Sequence, residues 1–255
     1  MAETQTPTQY STREKILAGA VHVYTATGVV WALVSLIAIV QKNYALFWAF
    51  NVIAVIVDSS DGYFARKFQV KKVLPFVDGR KLDDIADYLN YTFLPLFALW
   101  HMKLLPQPGW LWVSFPLLAS LFAFAYEGVK EEGSGFFVGF PSYWNFVVIY
   151  IALGVHKVSG PWGSLGFLLL FTVLNVVPLR FVYPSMAKRW KAYFIWGAIA
   201  WTVLFLYMLT QYNKGVSSTL VWISLTYPAS YMILSVYLDF EARREAKKQT
   251  SESSP

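Results

Sequence analysis

Apolar runs of about 20 residues follow one another through most of this 255-residue chain, and that leaves few folds open to it. A helix needs about that length to cross the ~30 Å hydrocarbon core of a bilayer. A soluble domain of this size can bury a large core, but it does not carry such runs in succession. Eight spans can be drawn, at about 16–40, 44–66, 82–103, 109–127, 143–157, 162–183, 192–212 and 217–239. Short connectors rich in turn formers separate them, including Pro106-Gln107-Pro108-Gly109 and Ser159-Gly160-Pro161. The expected fold is therefore all-α, a polytopic integral membrane bundle of about eight transmembrane helices.

A polar segment, 1–15, precedes this membrane domain of 16–240, and a polar tail, 241–255, follows it. The first apolar stretch lacks a convincing cleavage site, so it reads as a membrane helix and not as a removed signal. Basic residues set the orientation. With the N-terminus in the cytoplasm, only Lys42, Lys103, Lys157 and Lys214 of the 21 Lys and Arg fall outside. That bias places both termini in the cytoplasm. The net charge is +6, but the cations sit between apolar runs and form no stripe with aromatics, which argues against nucleic acid. There is no cysteine, so disulfides and thiolate chemistry are excluded.

Four spaced aspartates, Asp58, Asp61, Asp83 and Asp87, with Asp84 beside them, stand where a membrane helix should have none. They fall in Asp58-Ser59-Ser60-Asp61-Gly62-Tyr63-Phe64-Ala65-Arg66 and in Gly79-Arg80-Lys81-Leu82-Asp83-Asp84-Ile85-Ala86-Asp87. An ionised carboxylate at such a depth costs several kcal/mol, so it marks a functional site. Asp58 and Asp61 share a helix face, as do Asp83 and Asp87. At ~1.5 Å per residue, Asp58 and Asp61 lie roughly 21 and 25 Å from the outer end of their span at Tyr44. Asp87 and Asp83 lie about 24 and 30 Å from theirs at Lys103. The pairs thus reach a similar depth near the cytoplasmic face. Converging carboxylates repel, and hard oxygen ligands suit Mg²⁺ or Mn²⁺, which bind substrate phosphates. Gly62 and Ala65 leave room for a ligand, and Arg66 is placed at the rim for a phosphate oxygen.

These residues resemble the CDP-alcohol phosphotransferases, whose pattern is D-x2-D-G-x2-A-R-x8-G-x3-D-x3-D. Asp58, Asp61, Gly62, Ala65, Arg66, Gly79, Asp83 and Asp87 match every fixed position. The chain departs in one respect, with twelve residues between Arg66 and Gly79. That spacing is similar to the bacterial phosphatidylcholine synthase branch, as are Lys72-Val73-Leu74-Pro75 and the segment from Gly135 to Asn145. The resemblance implies transfer of the phosphatidyl group of CDP-diacylglycerol to choline, with release of CMP. It implies Asp58, Asp61, Asp83 and Asp87 as metal ligands and Asp87 as the base for the attacking hydroxyl. Asp58, Gly62, Ala65, Arg66 and Gly79 would contact the cytidine diphosphate. It further implies a homodimer in the cytoplasmic (inner) membrane of a bacterium, working on membrane lipid with its active site facing the cytoplasm.

Choline offers no hydrogen-bond donor on its trimethylammonium, so a selective site needs aromatic faces and a carboxylate. Tyr88, Tyr91, Tyr126, Glu127, Tyr143, Trp144 and Asn145 share the cytoplasmic side and make up the expected choline box. Interfacial belts of Trp and Tyr explain such residues equally. Arg180 reads as a positive-inside anchor, His22 as a packed helix residue, and Glu131 and Glu132 as a solvated loop. Two other readings stand beside this one. Against the same transfer to serine, inositol or glycerol 3-phosphate stand the loop spacing and an aromatic-rich cytoplasmic face with only Lys130 between the fourth and fifth spans, where a phosphorylated alcohol would favour more cations. A cation transporter predicts acidic groups continuing toward the outer face, where there are none of the four.

Overall fold

A computed structural model describes residues 10–125, 136–182 and 190–252. Ten α-helices are found among them: α1 (Thr12–Val40), α2 (Tyr44–Lys67), α3 (Val70–Val73), α4 (Gly79–Asp87), α5 (Leu94–His101), α6 (Gly109–Ala125), α7 (Trp144–Tyr150), α8 (His156–Val176), α9 (Lys191–Thr210) and α10 (Ser218–Glu252). Strands β1 (Phe136–Val138) and β2 (Arg180–Val182) pair antiparallel, Phe137 opposite Phe181. Among the described residues, five helical stretches are long and apolar enough to cross a membrane: Thr12–Val40, Tyr44–Lys67, Trp144–Val176, Lys191–Thr210 and Ser218–Arg244. The shorter α6 is also apolar. A multi-pass, almost wholly helical membrane protein is what these elements describe. By contacts the chain divides into two units, Met1–Asn90 and Tyr91–Pro255.

The first unit is built on a reversed polarity. α1 turns Ala18, Thr25, Gly28, Ala32, Ser35 and Ala38 inward, at helical spacing. Many of its bulky residues, among them Ile16, Val23, Leu33 and Ile37, face out, while Val21 and Ile39 join the buried face. Where lipid is the solvent, burying bulk against bulk gains little, and small residues that let backbones approach are what hold helices together. α1 packs along α2 and against α3 and α4. The capping box of Ser11 and Glu14 starts α1, and the Asn43 side chain accepts from the Leu46 amide to start α2. Gln69, left-handed at φ 48°, turns the chain into α3.

In the second unit the expected spans 143–157 and 162–183 correspond to helical residues Trp144–Val176. A π-helical turn over Ile151–Val155 interrupts them, and the helix breaks at Gly160, whose φ of 63° is not helical. The break falls in the expected connector at 159–161, and it brings the His156 ring nitrogen within 3.1 Å of the Ser164 hydroxyl eight residues on, closer than one continuous helix at ~1.5 Å per residue allows. The expected end at 183 is corrected to Val176. Val177 precedes Pro178 and takes an extended conformation, which proline imposes on its predecessor. β2 follows, tied to α10 through Tyr231, whose hydroxyl donates to the Val182 carbonyl at 2.9 Å. Arg180, expected as a simple anchor, is ion-paired to the buried Asp239, which also holds Arg243 at 2.9 Å.

Candidate metal centre

Asp58 and Asp61 come from α2, and Asp83 and Asp87 from consecutive turns of α4. α4 starts where it does because Asp78 caps it. The Asp78 carboxylate accepts from the Arg80 and Lys81 amides at 3.1 and 3.3 Å. The placement of α4 beside α1 is tighter than ordinary helix packing. A Cβ added at Gly28 would lie 2.9 Å from the Cβ of Ala86. Asn90 staples that contact, its amide donating to the carbonyls of Gly28 and Ala86, both at 2.9 Å. Asn51 of α2 donates in turn to the Asn90 carbonyl at 2.9 Å. α1 is joined to α2 by the Tyr24 and Ser60 hydroxyls, 2.8 Å apart, and by the edge-to-face contact of Tyr24 with Phe64. Both carboxylate-bearing helices are therefore fixed to α1 within a few residues of the aspartates.

The result is a close acidic group. One carboxylate oxygen each from Asp58, Asp83 and Asp87 lies within 4.8 Å of the others. Two oxygens on opposite sides of a Mg²⁺ ion stand about 4.2 Å apart, given ligand distances of ~2.1 Å, so the group has the size one divalent ion requires. All three residues are partly buried. Asp61 is buried and stands outside this tight group, yet its charge, like those of Asp58, Asp83 and Asp84, acts on Asp87. Asp84, to which no role was assigned, lies 3.9 Å from Arg80 one turn away. Carboxylates this close resist sharing negative charge, and a bound cation relieves them.

The small residues of the motif have packing neighbours. Gly79 lies against His22, whose Cε1 would be 3.1 Å from an added Cβ. Ala65 packs onto a cluster of Ala18, Val21, Val70 and Val73. Gly62 is open except toward Arg66, whose guanidinium would be 3.4 Å from an added Cβ. Of the expected choline box, Tyr88 directly follows Asp87 and is partly buried. Tyr91, Trp144 and Asn145 are buried in the second unit, where the Trp144 indole donates to the Ser120 hydroxyl at 2.7 Å, and Tyr143 is exposed. Tyr126 and Glu127 lie outside the described residues, as do Glu131 and Glu132. Sequence reasoning missed Asp78, Asn51, Asn90 and the His22–Gly79 contact. Asp78 carried a signal, a cap residue just before a helix start, but the two asparagines carried none beyond being polar in apolar runs.

Helices able to span a bilayer and an acidic group able to hold a divalent cation define a polytopic membrane protein with a candidate metal centre. No family model matches the chain. Curated proteins do. A Borreliella burgdorferi protein named phosphatidylcholine synthase is 31% identical over 231 residues, 89% of this chain and 97% of the relative. A Legionella pneumophila protein of that name is 32% identical over 238 residues, 89% of this chain and 90% of the relative. A Pseudomonas aeruginosa one is 34% identical over 191 residues, 74% and 78% of the two chains. The chain belongs to the phosphatidylcholine synthase family.

Proposed function

We propose that this chain makes phosphatidylcholine, moving the phosphatidyl group of CDP-diacylglycerol to choline and releasing CMP. The observation that carries the reading is the meeting of Asp58 with Asp83 and Asp87, which brings the two halves of the sequence motif to one point. Family membership supports the choice of alcohol. Asp58, Asp83 and Asp87 would hold a divalent ion, Mn²⁺ or Mg²⁺, with the Asp61 carboxylate beside them. When bound there, such an ion would supply neutralisation of the phosphate charge. Arg66, folded back over Gly62, offers its guanidinium to the diphosphate, and Gly62, Ala65 and Gly79 border the nucleotide. Asp87 accepts the choline hydroxyl proton as the choline oxygen bonds to the phosphatidyl phosphorus. The bond from that phosphorus to the bridging oxygen breaks, and CMP leaves with the electron pair.

The membrane setting follows from the substrate, since acyl chains can stay in lipid while the head group reaches the aspartates. A bacterial inner membrane, eight spans, cytoplasmic termini, a cytoplasm-facing site and a homodimer complete the reading. The positive-inside bias supports the orientation. For choline selection the candidates are Tyr88, Tyr91, Tyr126, Glu127, Tyr143, Trp144 and Asn145, Tyr88 first because it adjoins Asp87. The deciding experiment is CMP release by purified protein with CDP-diacylglycerol and Mn²⁺, with choline, serine, inositol and glycerol 3-phosphate compared. Turnover with choline alone is expected. Turnover of another alcohol instead would keep the metal centre and discard the choline assignment.

A further inference from the structure

The connector between α2 and α4 is the least explained part of the first unit, and four contacts fix its level along α1. Val70 and Val73 pack on Ala18 and Val21. Leu74 Cδ1 reaches within 4.0 Å of a Cβ placed at Gly19, and Gly79 returns beside His22. Ala18 to His22 begin two residues beyond Ile16, where the first apolar run opens. At ~1.5 Å per residue these contacts lie about 3–9 Å along that run. The connector is therefore held beside the first turns of α1, a helix long and apolar enough to cross a membrane. Its tip bears Phe76, the most exposed of the large apolar side chains among the described residues, at 81%. Lys71 and Lys72 are exposed on the side of α3 opposite Val70 and Val73.

The charges around this tip are already sorted. Asp78 caps α4 and lies 3.8 Å from Lys81, and Asp84 lies near Arg80. Lys67 sits over the rings of Tyr63 and Phe68. Lys71 and Lys72 have no acidic partner among the described residues. We propose that residues 69–78 form an interfacial element that binds anionic phospholipid: Phe76 inserts among the upper acyl chains, and Lys71 and Lys72 bind the lipid phosphates. Charge complementarity selects the anionic lipid, and the bare ring at head-group level supplies the apolar anchor. The proposal does not rest on the phosphatidylcholine reading, because its test needs no turnover.

The chain lacks cysteine, so a single introduced one can carry a nitroxide without side reactions. Labelled Pro75→Cys protein would be placed in nanodiscs of phosphatidylcholine, with and without phosphatidylglycerol. Collisions with oxygen, which favours the bilayer, are then compared with collisions with a water-soluble nickel chelate. Elution as one species and an unchanged unfolding temperature establish that each variant is folded. The expected result is an oxygen-dominated signal that shifts further toward oxygen with phosphatidylglycerol. Adding Phe76→Ser should move the label toward the nickel chelate, and adding Lys71→Gln with Lys72→Gln should remove the response to phosphatidylglycerol. A nickel-dominated label with Phe76 present, or a signal indifferent to phosphatidylglycerol, overturns the proposal.

Discussion

Replacing Gly28 by alanine should spoil the acidic centre from a distance, because that glycine sets how close α4 comes to α1. The new methyl would lie 2.9 Å from the Ala86 Cβ and 3.7 Å from the Asn90 amide nitrogen. Carbon atoms pack at about 3.5–4.0 Å, so the helices must part by about 0.6 Å or more. Overpacking of this kind costs about 1–3 kcal/mol. The larger effect is on geometry. Ala86 is next to Asp87 and one turn from Asp83, so both carboxylates move with it relative to Asp58 on α2. A 1 Å misplacement at a reacting centre costs on the order of 100-fold, which puts the loss here at about tenfold to a hundredfold. CMP release should fall by that factor, and the Mn²⁺ concentration for half-maximal activity should rise. Gly28→Ala combined with Ala86→Gly removes the clash and should recover most of both. If Gly28→Ala kept wild-type turnover and metal response, the claim that the α1–α4 seam positions the ligands would be wrong.

Three further outcomes are expected. Asp58→Asn, Asp83→Asn and Asp87→Asn should each lower CMP release by about 10²- to 10³-fold in folded protein, and a chelator should abolish activity until Mn²⁺ or Mg²⁺ is returned, as measured in the same assay. Asn90→Leu removes the donors to Gly28 and Ala86 and should lower stability by about 1 kcal/mol, read as a fall in unfolding temperature, since hydrogen bonds between membrane helices are worth roughly 0.6 to 1.7 kcal/mol. Asp239→Asn leaves the Arg180 guanidinium without its carboxylate beside β2 and should cost about 3–5 kcal/mol, more than any exposed ion pair; an unfolding temperature equal to wild type would mean that the cluster carries no stability.

The helices were legible because hydrophobic runs ended where the elements end. The span expected over 44–66 is found as Tyr44–Lys67, and that over 192–212 as Lys191–Thr210. Where a run continued past a structural break, the sequence misled: Val177 and Leu179 extend the apolar pattern beyond α8, while Pro178 has already ended it. The two three-residue strands were invisible, since Phe136–Val138 and Arg180–Val182 are too short to show alternation and pair across more than 40 residues. The aspartates could be found from spacing, because a helix repeat relates the members of each pair. Which three of them draw close could not be, because that depends on the angle between α2 and α4. Asn51, Asn90 and Gly28 decide that angle through contacts between helices distant in sequence.

The reversed polarity of α1 separates two jobs that a soluble core combines. The seam of Ala18, Thr25, Gly28, Ala32, Ser35 and Ala38 carries helix recognition, while Ile16, Val23, Leu33 and Ile37 serve only as solvent-facing surface whose solvent is lipid. Surface and seam can therefore be redesigned independently. Polar replacements confined to the outward positions would change the medium this helix tolerates and leave its partner choice written in the small residues.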